Sequence, residues 1–262
     1  MKIIASLTTI PGRIDLMRST IDSILNQTIP IHSVELNIPQ VFLRNGEIYK
    51  IPDWLSSLER ESNHTNRKIT IFRTEDYGAI TKVSPTLLRH RDEKDTFVWS
   101  VDDDFVYPIN MLATLYREYI PTKHRILSHG GGHWTYDSNN SNCIGYNAHR
   151  QEGIVDFFEG FASVLYPTFL IKDDFENYVI NTSKLLDNRN SDDILLSNYF
   201  VLQNIDIYNC SYPYGPDRQF LNLGPQGYGT NDDALQRQNG GHRKRYIRVF
   251  NWLKENNLNG WV

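Results

Sequence analysis

The sequence predicts an α/β protein whose sheet is mainly parallel and flanked by helices. Three observations lead there. Short β-branched and apolar runs alternate with amphipathic segments at helical spacing, the pattern of strand–helix–strand units. The run from Thr96 to Val101 is β-branched and aromatic, as a buried strand should be. It ends abruptly in Asp102-Asp103-Asp104. Aspartate is a poor strand former, so the triplet belongs just past the strand's carboxyl end, where open parallel sheets bind their ligands.

Taken in order, Lys2 to Thr9 reads as a first strand, apolar on both faces and stopped by Pro11-Gly12. Asp15 to Asn26 reads as a helix, with Leu16, Met17, Ile21, Ile24 and Leu25 on one face. Ser33 to Ile38 is a second strand, Pro52 to Glu61 a helix, and Lys68 to Arg73 a third strand. Pro85 to Arg91 is a short helix that leads into the strand from Thr96. Beyond Asp104 the pattern is less regular. Pro108 to Tyr119 is a helix with proline in its first turn, where a missing N–H costs nothing. Arg125 to Ser128 is a strand followed by a flexible Gly130-Gly131-Gly132, and Phe161 to Tyr166 is another strand. Ser191 reads as the N-cap of a helix from Asp192 to about Leu202. Ile205 to Tyr208 is a short strand. Tyr212 to Gly229, rich in proline, tyrosine and glycine, reads as a loop or wrapping segment. Asn231 caps a last helical region that Gly240-Gly241 interrupts before Arg245 to Asn256.

Composition narrows the function. The chain has 262 residues, 40% hydrophobic and 22% charged, which suits one large globular domain or two closely packed halves. A formal net charge of -4 leaves no basic surplus for nucleic acid. Two cysteines, Cys143 and Cys210, make neither a disulfide framework nor a four-cysteine zinc site. No stretch approaches the roughly 20 apolar residues of a membrane span. The opening residues read as a strand and not as a leader, so a cytoplasmic protein is expected, with peripheral attachment to a membrane left open.

Five clusters could carry chemistry. In the acidic triplet, three adjacent carboxylates repel one another and would welcome a divalent cation. Asp102 and Asp104 lie on the same side of an extended chain, with Asp104 as a Mg²⁺ or Mn²⁺ ligand, Asp102 as its helper or a nucleotide contact, and Asp103 toward a ribose hydroxyl. Asp76 to Lys82 follows the third strand, with Asp76 for a base or ribose and Lys82 for a diphosphate. Thr8-Thr9-Ile10-Pro11-Gly12-Arg13 follows the first strand, with Thr8 and Thr9 to hold a nucleotide and Arg13 to reach phosphate or base. Asp192-Asp193 opens a helix, which suits the helix dipole as well as it suits a general base. His242-Arg243-Lys244-Arg245 follows Gly240-Gly241; His242 could be a third metal ligand, and Arg243 could cover a diphosphate as part of a lid.

These clusters in this order resemble the GT-A fold glycosyltransferases, nucleotide-sugar-dependent enzymes with an Asp-X-Asp motif, here Asp102-Asp103-Asp104. The segment Asp156 to Ser163 resembles their acceptor-side loop, with Glu159 and Gly160 against the acceptor. The resemblance implies the GT-A (Rossmann-like) fold: a mixed, mainly parallel sheet flanked by helices, in a single compact two-part domain. Residues 1–104 would bind the donor. Residues 105–262 would bind the acceptor and supply the base, with a flexible 212–245 segment. The donor would be a nucleoside diphosphate sugar, a UDP-sugar being favoured, and the acceptor a glycan, glycolipid or glycoprotein hydroxyl. Mn²⁺ or Mg²⁺ would sit on Asp104, with Asp102 and His242, between the donor's phosphates; His129 and His133 are further histidine candidates. Family members that invert usually write the acidic pair Glu-Asp. Here it is Asp192-Asp193, with Asp193 as base and Asp192 as its orienting neighbour. The expected activity is hexosyl or pentosyl transfer with inversion. The alternatives are a retaining enzyme on the same fold, a sugar nucleotidyltransferase, and a non-catalytic carbohydrate- or Ca²⁺-binding module. Against the nucleotidyltransferase stands a single Gly12 where such enzymes usually carry a glycine-rich phosphate loop.

Overall fold

The computed structural model describes residues 1–65, 68–139, 142–149, 151–210 and 241–261. In chain order the strands are β1 (Lys2–Leu7), β2 (Ser33–Pro39), β3 (Val41–Phe42), β4 (Glu47–Ile48), β5 (Lys68–Thr74), β6 (Thr96–Ser100), β7 (Arg125–Ser128), β8 (Gly131–Tyr136), β9 (Cys143–His149), β10 (Gly153–Val155), β11 (Phe157–Phe158), β12 (Val164–Pro167) and β13 (Asp206–Asn209). The α-helices are α1 (Arg18–Leu25), α2 (Asp53–Ser62), α3 (Ser84–His90), α4 (Met111–Arg117), α5 (Phe175–Thr182), α6 (Leu186–Arg189), α7 (Asp192–Leu202) and α8 (Gly241–Glu255).

Eight strands form one sheet in the order β10-β13-β7-β12-β6-β1-β2-β5. The pairs β5–β2, β2–β1, β1–β6 and β7–β13 are parallel. β12 runs antiparallel to both β6 and β7, and β10 is an antiparallel edge. This is the mixed, mainly parallel sheet of a Rossmann-like, GT-A-type fold. The pleat sorts the core onto two faces. On β6, Phe97 and Trp99 join one apolar cluster and Val98 joins the other. Helices α1, α2 and α4 cover the first face through Ile21, Ile24, Leu55, Met111, Leu112 and Leu115. Helices α3, α5, α7 and α8 cover the second through Leu87, Phe175, Ile194, Leu196, Val249 and Phe250. Because β6 is covered on both sides, all five of its residues are buried.

Several elements differ from the sequence reading. The first helix starts as a 3-10 turn over Pro11–Leu16 and becomes α-helical only at Arg18. The change of pitch throws Leu16 off the apolar stripe, and it is 44% exposed. Gly130-Gly131-Gly132, expected as flexible, is rigid strand from Gly131 onward. The reason is close approach. A Cβ on Gly131 would lie 2.5 Å from the Phe157 carbonyl oxygen, and one on Gly132 would lie 2.7 Å from the Phe157 ring. β8 pairs with both β9 and β11 in a small second sheet. The expected strand from Phe161 is instead a 3-10 turn over Gly160–Ala162, and β12 starts at Val164. Of the expected mobile 212–245 segment, residues 241–245 form the start of α8, and Tyr212 to Gly229 and Asn231 lie outside the described residues.

Candidate active site

The triplet sits where the strand pattern puts it. β6 ends at Ser100, and the Asp102 backbone N–H donates to the buried Tyr107 hydroxyl at 2.8 Å. Beside it the chain leaves β1 through Thr8 and Thr9, so both segments meet at the carboxyl edge of the sheet. Here the Arg13 guanidinium forks across two carboxylates, with Nη2 2.8 Å from Asp103 Oδ1 and Nη1 2.8 Å from Asp104 Oδ2. Thr9 donates its hydroxyl to Asp103 Oδ2 at 2.5 Å. Both oxygens of Asp103 are therefore engaged inside the protein. Expected at a ribose, Asp103 instead fixes the turn, because its buried carboxylate needs those donors. The Thr8 hydroxyl donates to the Asn37 carbonyl at 2.6 Å, which ties the end of β1 to β2.

Across the cleft, Asp192 and Asp193 open α7, and both are buried. Ser191 is the N-cap residue, as expected, but its side chain makes no capping bond; its hydroxyl donates instead to the Asp187 carbonyl at 2.8 Å. Asp193 Oδ1 accepts from the Gly160 N–H at 2.8 Å, and Oδ2 accepts from the Tyr246 hydroxyl at 2.5 Å. Lys82 bridges the two walls. Its Nζ lies 2.9 Å from Asp102 Oδ1 and 2.6 Å from Asp192 Oδ2. Lys82 was expected on a diphosphate, but the buried ammonium is held by these two carboxylates. Burial pushes its pKa down, and the carboxylates of Asp102, Asp192 and Asp193 more than offset this, holding it well above its ordinary value.

Burial, with the charge of Asp103 beside it, lifts the Asp104 carboxyl to about 7. Burial, with the charge of Asp192, lifts Asp193 to about 7 as well. Burial and Arg245 depress His242 to about 4, so its imidazole is neutral at neutral pH.

These groups line one cavity of about 550 Å³, within the usual range for a small-molecule site. Thr8, Thr9, Arg13, Lys82, Asp102, Asp103, Asp104, Glu159, Asp192, Asp193 and His242 all reach it. Three expected residues do not line it. Gly160 stands directly behind the wall, against Asp193. Asp76 accepts from the N–H groups of Leu43 and Gly78, each at 2.7 Å, and pairs with Arg189 at 2.7 Å, so it braces the turn and does not face a nucleotide. Arg243 turns its guanidinium against Gly145 of β9, where a Cβ would collide with it. On α8, residues 242, 245 and 246 share the cleft face at helical spacing, and 243 falls on another. Of the further histidines, His129 is buried beside Thr114, with 2.7 Å between Nε2 and Oγ1, and His133 lies 3.5 Å from Asp156; neither lines the cavity.

The cavity also holds residues that the sequence reading missed. Tyr246 comes from α8, and its spacing from His242 was the available signal; Arg245, already expected as one of the basic cluster's cations, lines the cavity beside it. Arg44 and Asn190, 146 residues apart, close one side through a 2.8 Å hydrogen bond from Nη2 to Oδ1. Tyr49 donates to the Thr9 carbonyl at 2.8 Å. Nothing in the sequence marks these contacts.

Among the described residues, no three His, Cys, Asp or Glu side chains gather as a group that could hold a metal ion. Asp104, Asp102 and His242 are thus not a preassembled cage. The donor set still suits a hard cation. Mg²⁺ is typically held by one or two carboxylates, with water and substrate phosphates completing its shell. Burial first, and the neighbouring Asp103 and Asp102 after it, lift the Asp104 carboxyl against the opposing charge of Arg13.

Fold and site together define an α/β protein with an acidic, cation-laced cleft at the carboxyl edge of its sheet. No protein-family model matches the chain, and no curated protein sequence does. Among solved structures it is similar to 4-diphosphocytidyl-2C-methyl-D-erythritolsynthase from Anaerococcus prevotii, with 12% identity, a TM-score of 0.48, and coverage of 86% of this chain and 94% of that one.

Proposed function

We propose that the protein is a metal-dependent glycosyltransferase that moves a sugar from a nucleoside diphosphate sugar to a carbohydrate hydroxyl with inversion. The observation that best supports this is a pair of carboxyls lining one cleft, the half-buried Asp104 just past a strand end and the buried Asp193 at a helix start, both lifted to about 7. A general base works best with a pKa near the operating pH, which suits Asp193. In this reading residues 1–104 hold the donor, and the later half holds the acceptor against Glu159. Asp193 takes the proton of the acceptor hydroxyl as that oxygen bonds to the anomeric carbon. The bond from that carbon to the diphosphate oxygen breaks, and the nucleoside diphosphate leaves. The transition state is oxocarbenium-like, as in other glycosyl transfers. Arg13 and Arg44 line the cleft where charge builds on the departing diphosphate. Mg²⁺ or Mn²⁺, held by Asp104 and Asp102 when bound, supplies Lewis-acid neutralisation of that charge.

The test is incubation with UDP-, GDP-, CMP- and dTDP-sugars, Mn²⁺ and a panel of saccharide acceptors. The expected product is a glycoside, with release of free nucleoside diphosphate, and NMR of its anomeric centre separates inversion from retention. Release of inorganic diphosphate from a nucleoside triphosphate and a sugar phosphate, with no glycoside formed, would replace this reading with nucleotidyl transfer.

A further inference from the structure

We propose that Tyr246, from the C-terminal helix α8, is the positioning residue of the base, holding the Asp193 carboxylate in its working plane through its phenolic O–H. This rests on the reading of Asp193 as the base. Two donors from separate elements engage the two oxygens of Asp193. They are the Gly160 N–H on Oδ1 at 2.8 Å and the Tyr246 hydroxyl on Oδ2 at 2.5 Å. A carboxylate tied at both oxygens cannot rotate about χ2. Each oxygen keeps a further lone pair with which to accept a proton.

Tyr246 is itself immobilised. It is 2% exposed, and its ring packs on Tyr146 at 5.6 Å and edge-on to Phe157 at 5.9 Å. The residues flanking it dock α8 onto the chain that leads into Asp193. Arg245 Nε donates to Ser191 Oγ at 3.0 Å, and Arg248 forks onto Asp187 at 2.5 and 2.9 Å. Three positions within one turn of α8 thus grip residues 187 to 193. The phenol remains a donor at working pH, because burial and the charges of Asp193 and Asp192 hold its pKa well above 10.

Among the described residues, the ionisable groups that act on Asp193 include Asp192 on its own helix, Lys82, Tyr246 of α8, Tyr146 of β9 and Tyr166 of β12. Asp192 and burial oppose ionisation of Asp193, whereas Lys82, the Gly160 N–H and the Tyr246 hydroxyl favour it. Removing the Tyr246 hydroxyl therefore raises the proton affinity of Asp193 and frees its plane.

The experiment uses Tyr246→Phe in the full chain, with two readouts. The first is the carboxyl ¹³C titration of Asp193 by NMR, assigned with Asp193→Asn, which needs no substrate. The second is the pH profile of transfer. A hydrogen bond to a charged group is worth about 1.5–3 kcal/mol, so the titration should move up by about one to two pH units. The acid limb of kcat/KM should follow it, and kcat should fall roughly tenfold or more while the donor KM stays within about twofold. Replacing Tyr246 with 3-fluorotyrosine, a stronger donor of the same shape, should move the titration down, which keeps the test open if the phenylalanine variant does not fold. An Asp193 titration unchanged in both variants would overturn the proposal whatever the reaction. A shifted titration with an unmoved pH profile and unchanged kcat would locate the failure in Asp193 as base.

Discussion

Gly160 packs directly behind the cleft wall, and one methyl group there tests how rigid the site is. A Cβ on Gly160 would lie 2.6 Å from Asp193 Oδ1 and 2.7 Å from Lys82 Nζ, where real Cβ contacts essentially never fall below 3.0 Å. Neither neighbour can step aside freely. Lys82 Nζ is pinned between carboxylates at 2.9 and 2.6 Å, and Asp193 is tied to Gly160 itself and to Tyr246. Two effects compete in Gly160→Ala. The residue is not among the glycines with positive φ, so alanine suits the backbone and would stabilise by about 0.4–1 kcal/mol through the unfolded chain. Overpacking costs about 1–3 kcal/mol, and it wins. The net loss of about 1–2 kcal/mol corresponds to a fall in melting midpoint of about 2–8 °C for a chain of this size. Misplacement by 1 Å costs about a hundredfold in rate, so a shift of a few tenths of an ångström at Asp193 should cost roughly tenfold in kcat. The assay is a circular-dichroism melt beside steady-state turnover. A midpoint at or above that of the parent, with kcat within about twofold, would refute the rigid-site reasoning.

Three further outcomes are expected. Asp193→Ala should lower transfer by about 10²–10⁴-fold while calorimetry still detects nucleotide-sugar binding; undiminished transfer would remove Asp193 as base. Asp104→Ala should abolish the Mn²⁺-dependent part of donor binding, and an unchanged calorimetric isotherm in Mn²⁺ would exclude Asp104 as the metal's anchor. The third concerns stability, at the opposite edge of the sheet, where His90 Nε2 and Nδ1 lie 2.8 Å from Glu35 and Glu93. Burial pulls the His90 pKa down, but the two carboxylates outweigh it and the net shift is upward. A raised histidine contributes fully below its ordinary value near 6.5 and loses that contribution as pH rises through the raised value. The melting midpoint should therefore decline as pH rises above about 6.5, and His90→Gln should flatten that limb. Glu93, held at about 2, acts with the opposite sign, and its contribution is lost as pH falls from about 4.5 through about 2.

What could be read from the chain follows from how local its cause is. The strand ending in Asp102-Asp103-Asp104 was legible because a doubly buried strand writes an unbroken apolar run and its exit writes carboxylates. The start of α7 was legible because a serine followed by two aspartates marks a helix N-terminus. β12 was only half legible. Its residues are apolar, but its antiparallel insertion between β6 and β7 depends on partners 36 to 70 residues upstream. β8 was misread because its glycines answer to the Phe157 backbone and ring, and not to local flexibility. Lys82 could be seen as a cation but not as one already matched to Asp102 and Asp192. Arg243 was placed by sequence proximity to His242, whereas the helix turns it away.

Lys82 is where the two ends of the cleft become one electrostatic unit. An isolated buried ammonium would tend to shed its proton, and carboxylates brought together without a cation would tend to take one up. Each condition cancels the other only while Asp102 and Asp192 stay within reach of the same Nζ, at 2.9 and 2.6 Å. The link has a direction. Asp102 adjoins the residues proposed to face the diphosphate, and Asp192 adjoins the proposed base, so charge arriving at one end is felt at the other through a single fixed cation. Gly160 is the backbone condition for this arrangement, since any side chain there would occupy the space that Nζ needs. The glycine, the lysine and the two aspartates therefore form one constraint, although they are scattered over 110 residues of sequence.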